Sequence, residues 1–368
     1  MTVDAETLRV WMETGTPLTV LDVRPDSERA EWCIPGSLHV DAYDALWAGD
    51  PAALDSVSLP VDRPVITVCA VGKTSLLAAE VLRSRGHTVF SLTGGMGAWS
   101  GAWNLADVPS GIPSIQIVQV RRTGKGCLSY VVGCDSEAAV IDPSVDLAVY
   151  LTIAETRGWK IVSVIETHVH ADHLSRAVLL CRATGAVLSM PEQQRVSFPY
   201  APIRDGQTLP LGSFGDLFTA IRTPGHTEEG TCYMLGNTAL FTGDTLFLRG
   251  VGRPDLEGGM GGAESLGRAL SRSLHSLLSL PGGTLVLPSH TPSPVGFDGV
   301  PLCAPLAQVI RENALLGLPE EEFVAAILAR IPPTPPNFLS IMHFNESGSW
   351  PEGDPSGLES GSNRCAVG

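Results

Sequence analysis

The sequence predicts an α/β protein with two domains and a short C-terminal tail. At 368 residues the chain is long enough for two hydrophobic cores. Apolar strands alternate with helical segments in residues 1–108, whereas strands dominate residues 114–345. Two prolines and a glycine within residues 107–113 mark the boundary between them. From residue 346 to residue 368, Gly, Ser, Pro and acidic residues dominate, which predicts a disordered tail.

The composition restricts the classes of function. Apolar residues make up 44% and charged residues 17% of the chain, as in a globular protein. The net charge of −15 is shared by both halves without a basic stripe, so we expect no nucleic-acid partner. No apolar run approaches the ~18 residues that span a bilayer, and the acidic start lacks the features of a signal peptide. We therefore expect no membrane partner. Eight cysteines without a CxxC pair favour reduced thiols, which together with the missing signal peptide predicts a cytoplasmic protein.

The first predicted domain alternates strands and helices. Residues 75–85 have helical apolar spacing, and Gly86 follows them as a C-cap signal. Such alternation predicts a parallel sheet. The strand-like segments are Leu18–Val23, Val65–Cys69 and Thr88–Leu92.

The second predicted domain is richer in strands. Its segments with period-two or continuous apolar character indicate a sheet sandwich with helices between some of the strands. The first strands are predicted at Ile115–Val120, Leu128–Val132 and Ala138–Ile141, and helices at 146–157, 173–184, 264–278, 306–315 and 319–331.

Cys69 is a candidate catalytic residue. It directly follows a predicted strand, and a loop containing Gly72, Lys73 and Thr74 separates it from the next helix. At that place a thiol faces the free N–H groups and the positive end of the helix, which favours the nucleophilic thiolate. The alternative is a buried core cysteine at a strand end. A phosphate-binding P-loop is excluded, because Thr67 stands where that motif needs glycine.

The segments around Cys69 resemble the marker segments of rhodanese (sulfurtransferase) domains over about residues 4–106. The resemblance implies that Cys69 accepts a sulfane sulfur and becomes a persulfide. Thr74 stands where the family usually has arginine, which removes a charge that would hold an anionic donor such as thiosulfate. Asp22 and Arg24 are interpreted as a structural ion pair. The segments that carry the resemblance are Leu21–Arg24, Cys33–Ser37 and Gly94–Trp99.

A cluster of candidate metal ligands follows the apolar run 161–165. His168, His170, Asp172 and His173 lie within six residues, and imidazole and carboxylate are ligands for borderline divalent metals. A solvated polar turn would explain one of these residues but not four. Further candidates, each directly after an apolar strand, are His226, Asp244 and His290.

This set of motifs resembles the metallo-β-lactamase superfamily over about residues 114–345. The resemblance implies an αββα sandwich with a metal site at one edge. It is specific for the fold and much less so for the reaction, since hydrolases, nucleases, lactonases and oxygenases share it.

Within the superfamily, the segment Phe241–Asp255 resembles that of the persulfide dioxygenases. The resemblance implies one Fe(II), held by His168, His226 and Asp244, and oxidation by O₂ of glutathione persulfide, or of a related low-molecular-weight persulfide, to sulfite. The sulfane-sulfur donor would load the first domain. Arg249 and Arg253 are candidates to hold the carboxylates of glutathione through bidentate contacts. The groups expected to orient the ligands and a bound water are His170, Asp172, His173 and His290.

Two alternatives stay open at this stage. The same residues would serve a glyoxalase II-like thioester hydrolase with two zinc ions, Asp244 bridging them. The second alternative is a sulfur-relay protein in which one domain serves only for docking. The fused rhodanese-like unit and the 241–255 segment favour the oxygenase. Thr291–Pro292 stands where the dioxygenases often have Asp-Tyr, so the thiol carrier is open, as is whether the chain forms a homodimer.

Overall fold

The computed structural model describes residues 1–257, 259–335 and 337–368 and contains the two expected α/β domains. The first domain has a five-stranded parallel sheet in the order β1-β5-β4-β2-β3. Its elements are β1 (Thr2–Val3), α1 (Ala5–Glu13), β2 (Thr19–Asp22), α2 (Asp26–Glu31), β3 (Leu38–His39), α3 (Tyr43–Trp47), β4 (Val65–Val68), α4 (Thr74–Ser84), β5 (Val89–Leu92) and α5 (Gly95–Trp99).

The central strand and the helix after it follow the sequence pattern closely. All four residues of β4 are buried, as expected for a continuous apolar run in a parallel sheet. Helix α4 covers the predicted segment within one residue at each end and buries Ala78, Ala79 and Leu82 against the sheet. Cys69 therefore lies in the connection between the carboxyl end of β4 and the start of α4.

The second domain is a sandwich of two large sheets. One is seven-stranded in the order β12-β11-β10-β9-β8-β7-β6, the other six-stranded in the order β13-β14-β15-β16-β19-β20, and β17, β18 and β21 form a small third sheet. Its strands are β6 (Asn104–Val108), β7 (Ile115–Arg122), β8 (Cys127–Cys134), β9 (Glu137–Ile141), β10 (Lys160–Ile165), β11 (Val187–Pro191), β12 (Ala201–Ile203), β13 (Thr208–Leu211), β14 (Gly215–Arg222), β15 (Thr231–Leu235), β16 (Ala239–Gly243), β17 (Leu246–Phe247), β18 (Gly250–Gly252), β19 (Leu285–Pro288), β20 (Ala304–Pro305) and β21 (Ala366–Val367). Its α-helices are α6 (Leu147–Arg157), α7 (Ala177–Thr184), α8 (Gly259–Leu277), α9 (Leu306–Glu312), α10 (Glu320–Leu328), α11 (Phe338–Ser347) and α12 (Ser356–Glu359).

Aliphatic side chains and a few aromatic rings fill the space between the two large sheets. Tyr130 and Phe241 come from opposite sheets, and their ring centroids lie 5.0 Å apart in an edge-to-face arrangement. Phe218 packs beside Phe241 at 6.1 Å. This core fixes the strands whose ends carry the candidate ligands. His168, His226, Asp244 and His290 follow β10, β14, β16 and β19 respectively, and these strand ends meet at one edge of the sandwich.

The predicted domain boundary lies a few residues too late. Residues 104–108 were assigned to the first domain, but they form β6, which pairs antiparallel with β7 over five residues and is the edge of the seven-stranded sheet. The prolines and glycine of residues 109–113 form the turn between these two strands. The segment was taken for a linker because turns and linkers contain the same residue types. In the structure it is a turn within the second domain.

The prediction of a disordered tail at residues 346–368 is wrong. Within it the structure has α12 and β21, and β21 pairs with β18. Glu359 is 1% exposed and pairs with Arg122 and Arg176. The prediction failed because composition does not show which polar residues gain buried partners in the folded protein. Among the described residues, no helix combines the length and the apolarity that crossing a bilayer requires.

Candidate metal centre

Three side chains at the edge of the sandwich converge on one point. The Oδ2 atom of Asp244 lies 3.4 Å from His226 Nε2 and 3.8 Å from His168 Nε2. His168 Nε2 and Asp244 Oδ2 are buried and have no hydrogen-bond partner. Leaving buried polar atoms unpartnered is costly, so their orientation fits a bound cation. Two imidazoles and one carboxylate form the facial triad that non-haem Fe(II) oxygenases use.

Hydrogen bonds on the far side of each imidazole fix which nitrogen faces this point. His168 Nδ1 donates to Thr167 Oγ1 over 2.9 Å, and the Thr167 hydroxyl donates to Asp142 Oδ2 over 2.8 Å. His226 Nδ1 donates to the backbone carbonyl of Arg253 over 2.7 Å. With the Nδ1 protons committed, both Nε2 atoms keep their lone pairs for a metal.

The charges of the three groups suit metal binding. Burial, together with the neighbouring charges of His170 and His226, holds the pKa of His168 well below its ordinary value, so the ring stays neutral. Burial alone would raise the pKa of Asp244, but His290 and His226 lower it below its ordinary value. Neutral imidazoles and an ionised carboxylate are the forms that bind a divalent cation.

Two glycines allow the ligand loops to approach this closely. A Cβ on Gly243 would lie 2.7 Å from Thr167 Oγ1, and the φ of Gly243 is +50°. A Cβ on Gly252 would lie 2.0 Å from the Asp244 carbonyl oxygen and 2.9 Å from His226 Cβ. These positions explain why glycine stands before Asp244 and again before Arg253.

His170 belongs to a different group of side chains. Its Nε2 lies 2.8 Å from Glu166 Oε2 and 3.3 Å from Asp142 Oδ1, and these three residues form a separate cluster of possible donors. Burial opposes the charged form of His170, but the two carboxylates raise its pKa well above the ordinary value. A charged His170 would hold the Asp142 carboxylate that anchors Thr167, and would thereby position His168.

Asp172, His173 and His290 form a second donor cluster beside the first. Asp172 Oδ1 lies 3.0 Å from His173 Nδ1, and its Oδ2 lies 3.0 Å from His290 Nε2. His290 Nδ1 donates to Asp244 Oδ1 over 2.6 Å, which joins the two clusters. Burial opposes the charged form of His290, but Asp244 and Asp172 raise its pKa well above the ordinary value.

The two predicted substrate arginines differ in their surroundings. Arg253 is fully buried, and its guanidinium pairs bidentately with Asp255 at 2.7 and 2.8 Å. It also donates to the carbonyls of Pro333 and Arg364. The substrate role predicted for Arg253 is therefore wrong, because its N–H groups are taken by the protein. Arg249 is 78% exposed and lies 3.6 Å from Glu312; its substrate role stays a prediction.

The Cys69 loop has the architecture that the sequence indicated. Cys69 Sγ accepts a hydrogen bond from the Gly72 amide over 3.1 Å, and Lys73 is exposed at the start of α4. Thr74 is buried and accepts from Trp47 Nε1 over 3.1 Å. The thiol therefore has one backbone amide donor, that of Gly72, at the start of a helix.

The rest of this domain supports the loop. Asp22 and Arg24 are both buried and pair at 2.7 Å, as predicted for a structural ion pair. The Gly94–Trp99 segment packs directly under the loop: the Met96 and Gly97 amides donate to the carbonyls of Cys69 and Ala70. A Cβ on Gly95 would lie 2.2 Å from the Cys69 carbonyl oxygen, which explains its glycine.

Several residues around the metal centre were missed by the sequence reasoning, Glu166 beside His170 among them. Asp142 follows the strand β9, the same signal that identified Asp244, and its φ of +49° is unusual for a residue other than glycine. Cys127 lies 3.4 Å from Asp172 and shares a donor cluster with His173 and His290, although no cysteine was expected in this site. Asn363 and Cys365 reach the centre from the C-terminal tail, and no local sequence signal indicates that contact.

The comparisons with known proteins agree with this fold. The family model of the metallo-beta-lactamase superfamily matches residues 122–290, and that of the rhodanese-like domain matches residues 4–102. A probable metallo-hydrolase of Burkholderia pseudomallei is 32% identical over 205 residues, which cover 47% of this chain and 67% of the relative. The chain belongs to the metallo-β-lactamase superfamily. Its superfamily domain follows a rhodanese-like domain.

Other relatives are covered less completely. A hydroxyacylglutathione hydrolase of Methylobacillus flagellatus is 35% identical over 153 residues, which cover 42% of this chain. The chain spans 57% of that relative's length, and 63% of a hydroxyacylglutathione hydrolase of Acidiphilium cryptum that is 32% identical.

Two solved structures share the superfamily fold. A metallo-beta-lactamase of Staphylococcus aureus matches with a TM-score of 0.58 and 23% identity, over 66% of this chain and 75% of that one. ETHE1 of Myxococcus xanthus matches with a TM-score of 0.55 and 28% identity, over 63% of this chain and 98% of that one.

Proposed function

We propose that this superfamily member is an iron-dependent persulfide dioxygenase coupled to a sulfurtransferase domain. It oxidises glutathione persulfide, or a related low-molecular-weight persulfide, with O₂ to sulfite. The observation that carries the proposal is the three-donor set of His168, His226 and Asp244, from which His170 is withdrawn by Glu166 and Asp142. Such a set leaves coordination positions for two small ligands.

An Fe(II) held by these three residues would supply the redox chemistry of the reaction. The chain's own residues set the geometry: Thr167 and the Arg253 carbonyl orient the two imidazoles, and His290 orients the Asp244 carboxylate. All these groups are buried, which restricts water at the reacting centre. In the overall reaction, glutathione persulfide, O₂ and water give glutathione, sulfite and protons.

The first domain is proposed to supply the sulfur. The Cys69 thiolate takes a sulfane sulfur from a donor and passes it to a thiol such as glutathione. The loop amide of Gly72 lies 3.1 Å from Cys69 Sγ and would hold the negative charge of the persulfide. The fusion of this domain to the metal domain, and the resemblance of residues 241–255 to persulfide dioxygenases, both support the coupling.

A binuclear zinc thioester hydrolase is the second candidate. The relatives named hydroxyacylglutathione hydrolase support it, and so does the second cluster of Asp172, His173 and His290 next to Asp244. Against it, His170 is held by Glu166 and lies outside the group of His168, His226 and Asp244. A sulfur-relay protein with a docking domain is less favoured, because both domains carry complete sets of chemical groups.

Metal analysis of protein purified without added metal distinguishes the candidates. The proposal predicts about one iron per chain, and two zincs per chain would favour the hydrolase. Enzyme assays with both kinds of substrate on the same preparation then assign the reaction.

A further inference from the structure

The thiol of Cys127 lies inside the second donor cluster, beside Asp172, His173 and His290. One donor atom from each of these four residues lies within 4.8 Å of the other three, and all four side chains are buried. The sequence indicated the other three residues as candidate ligands, but not Cys127. Neither the dioxygenase nor the hydrolase candidate gives this thiol a role.

The backbone of the sandwich fixes the position of Cys127. This residue begins β8 and forms an isolated antiparallel bridge with His290, which follows β19. The Gly126 carbonyl accepts from the residue after His290 over 2.9 Å, and the Leu128 amide donates to the residue before it over 2.7 Å. Hydrogen bonds on both sides of Cys127 therefore hold its thiol beside the imidazole of His290.

The spacing of the donor atoms fits a divalent ion. Cys127 Sγ lies 3.4 Å from Asp172 Oδ2, and the same oxygen lies 3.0 Å from His290 Nε2. Ligand atoms held tetrahedrally at zinc distances of about 2.0–2.3 Å lie roughly 3.3–3.7 Å from one another. The two measured separations lie within or just below that range.

An unpartnered nitrogen faces the cluster. His290 Nε2 is buried and makes no hydrogen bond to any described residue, although it lies 3.0 Å from Asp172 Oδ2. Because His290 Nδ1 donates to Asp244 Oδ1 over 2.6 Å, the Nε2 atom keeps its lone pair for a metal. A buried polar atom without a partner is costly, so its orientation fits a bound cation.

The carboxylate of Asp172 is supported from outside the cluster. Asn363 Nδ2 donates to its Oδ2 over 3.1 Å, and His173 Nδ1 lies 3.0 Å from its Oδ1. Carboxylates that bind metals are commonly oriented by such outer hydrogen bonds, which are compatible with coordination.

Asp244 does not belong to this four-donor cluster. Its Oδ1 accepts from His290, and its Oδ2 is the unpartnered oxygen that faces His168 and His226. The second cluster therefore takes its fourth donor from Cys127, whereas a binuclear hydrolase centre would take it from a bridging Asp244.

We propose that Cys127, Asp172, His173 and His290 form a closed zinc site in which the Cys127 thiolate is the fourth ligand. Binding of the ion releases the thiol proton to solvent, and no electron is transferred. One thiolate and one carboxylate balance the charge of Zn²⁺. Zinc sites with four protein ligands are structural, and this one would tie β8, the 168–173 loop and the end of β19 together.

The zinc site goes beyond the proposed function and does not depend on it. Only the assignment of iron to the neighbouring three-donor set rests on the dioxygenase proposal. Thiolate ligands favour zinc, whereas the open set of two imidazoles and one carboxylate suits Fe(II). We therefore expect about one iron and about one zinc per chain. In the hydrolase candidate, by contrast, two zincs share Asp244 and no cysteine takes part.

Cobalt substitution of the full-length protein tests the thiolate ligand. Co²⁺ replaces zinc in tetrahedral sites, and a cobalt–thiolate bond gives a charge-transfer band in the near ultraviolet. Metal-free protein is titrated with Co²⁺ in the absence of oxygen. We expect the wild type to bind two equivalents, one of which gives the band, and Cys127→Ser to bind one equivalent without the band. Cys134→Ser, at a buried cysteine at the other end of β8, is the matched control and should behave as the wild type does.

Elemental analysis of the same variants identifies the natural metals. The wild type and Cys134→Ser should contain both iron and zinc, and Cys127→Ser should keep its iron and lose its zinc. Cys365→Ser serves as a second comparison, because Cys365 shares another donor group with Asp244 and His290. This variant should keep the charge-transfer band.

Several results would overturn the zinc site. Wild-type protein that binds one equivalent of Co²⁺, or two without the band, excludes it even if a variant fails to fold. A band that survives in Cys127→Ser and is lost in Cys365→Ser would assign the thiolate to the wrong cysteine. Neither measurement involves oxygen uptake, so their failure leaves the dioxygenase proposal standing. Absence of oxygen uptake with preformed glutathione persulfide would instead remove that proposal and leave the zinc site intact.

Discussion

At the scale of single residues, the metal centre depends on side chains that hold the ligands as much as on the ligands. His168 and His226 each donate from Nδ1 to a fixed acceptor, so Nε2 faces Asp244. The predictions at this scale therefore separate ligands from the groups that position them.

His226→Ala is predicted to lose iron while the protein stays folded, because two of three protein ligands hold a divalent metal poorly. Iron per chain is measured by elemental analysis and folding by circular dichroism. The matched control is His275→Ala, at an exposed histidine on α8, which should keep its iron. Full iron and activity in His226→Ala would show that the ligand assignment is wrong.

Thr167→Val is predicted to weaken iron binding by about 10- to 100-fold, since it removes the hydroxyl between His168 Nδ1 and Asp142. Competition with a metal chelator measures the affinity. Thr284→Val is the control, because the Thr284 hydroxyl is buried without a hydrogen-bond partner and its loss breaks nothing. Equal affinities in both variants would contradict the positioning role of Thr167.

The sequence indicated the candidate ligands but not the groups that position them. His168, His226 and Asp244 follow apolar strands, a signal that is local in the chain. The guanidinium of Arg253 pairs with Asp255 and donates to the carbonyls of Pro333 and Arg364. Both carbonyls lie far along the chain, so the sequence did not show that the N–H groups of Arg253 are occupied. Cys127 reaches Asp172 only because the sandwich brings β8 next to the metal loops.

At the scale of elements, the C-terminal residues 359–368 are anchored in part by the buried carboxylate of Glu359. Burial opposes the charged form of Glu359, but Arg122 and Arg176 hold its pKa well below the ordinary value. A carboxyl whose pKa is depressed on folding stabilises the protein above its unfolded pKa, and this stability is lost as the pH falls towards the folded value.

Glu359→Gln is predicted to lower the free energy of unfolding by about 3–5 kcal/mol at neutral pH, because it leaves two buried arginines without their counter-charge. The difference from wild type should shrink as the pH falls below about 4, the ordinary pKa of glutamate. Denaturant unfolding at several pH values measures both effects. Glu321→Gln, at an exposed glutamate that also pairs with an arginine, should change stability far less than Glu359→Gln does, because solvent screens exposed ion pairs. A Glu359→Gln deficit that did not depend on pH would contradict the charge-based explanation.

Helices and strands with local periodicity were predicted well, and elements that depend on distant partners were not. The helix after Cys69 was predicted within one residue at each end. β6 was assigned to the wrong domain, because only its pairing with β7 reveals where it belongs. Residues 346–368 were predicted to be disordered, since their polar composition does not show that Glu359 and Cys365 are buried in the fold.

At the scale of the whole molecule, sulfur activation and sulfur oxidation are assigned to separate domains acting in series. Cys69→Ser should lose oxygen uptake driven by a sulfane donor plus glutathione, yet retain uptake driven by preformed glutathione persulfide. His226→Ala should still transfer sulfur but consume no oxygen. An oxygen electrode and a sulfur-transfer assay measure the two activities, with several donors tried because Thr74 removes a charge from the loop.

The series arrangement has a definite contrary result. Loss of both activities in a folded, iron-loaded Cys69→Ser protein would require Cys69 to take part in the oxidation itself. In that case sulfur transfer and sulfur oxidation would not be confined to separate domains.

The central claim is that the metal domain oxidises a persulfide instead of hydrolysing a thioester. Its most direct test is oxygen consumption by the iron-replete protein, measured with preformed glutathione persulfide and, in parallel, with a hydroxyacylglutathione thioester. We predict rapid oxygen uptake with one sulfite formed per O₂ consumed, and no comparable hydrolysis of the thioester. Rapid thioester hydrolysis without oxygen uptake would contradict the proposal and assign the chain to the hydrolases.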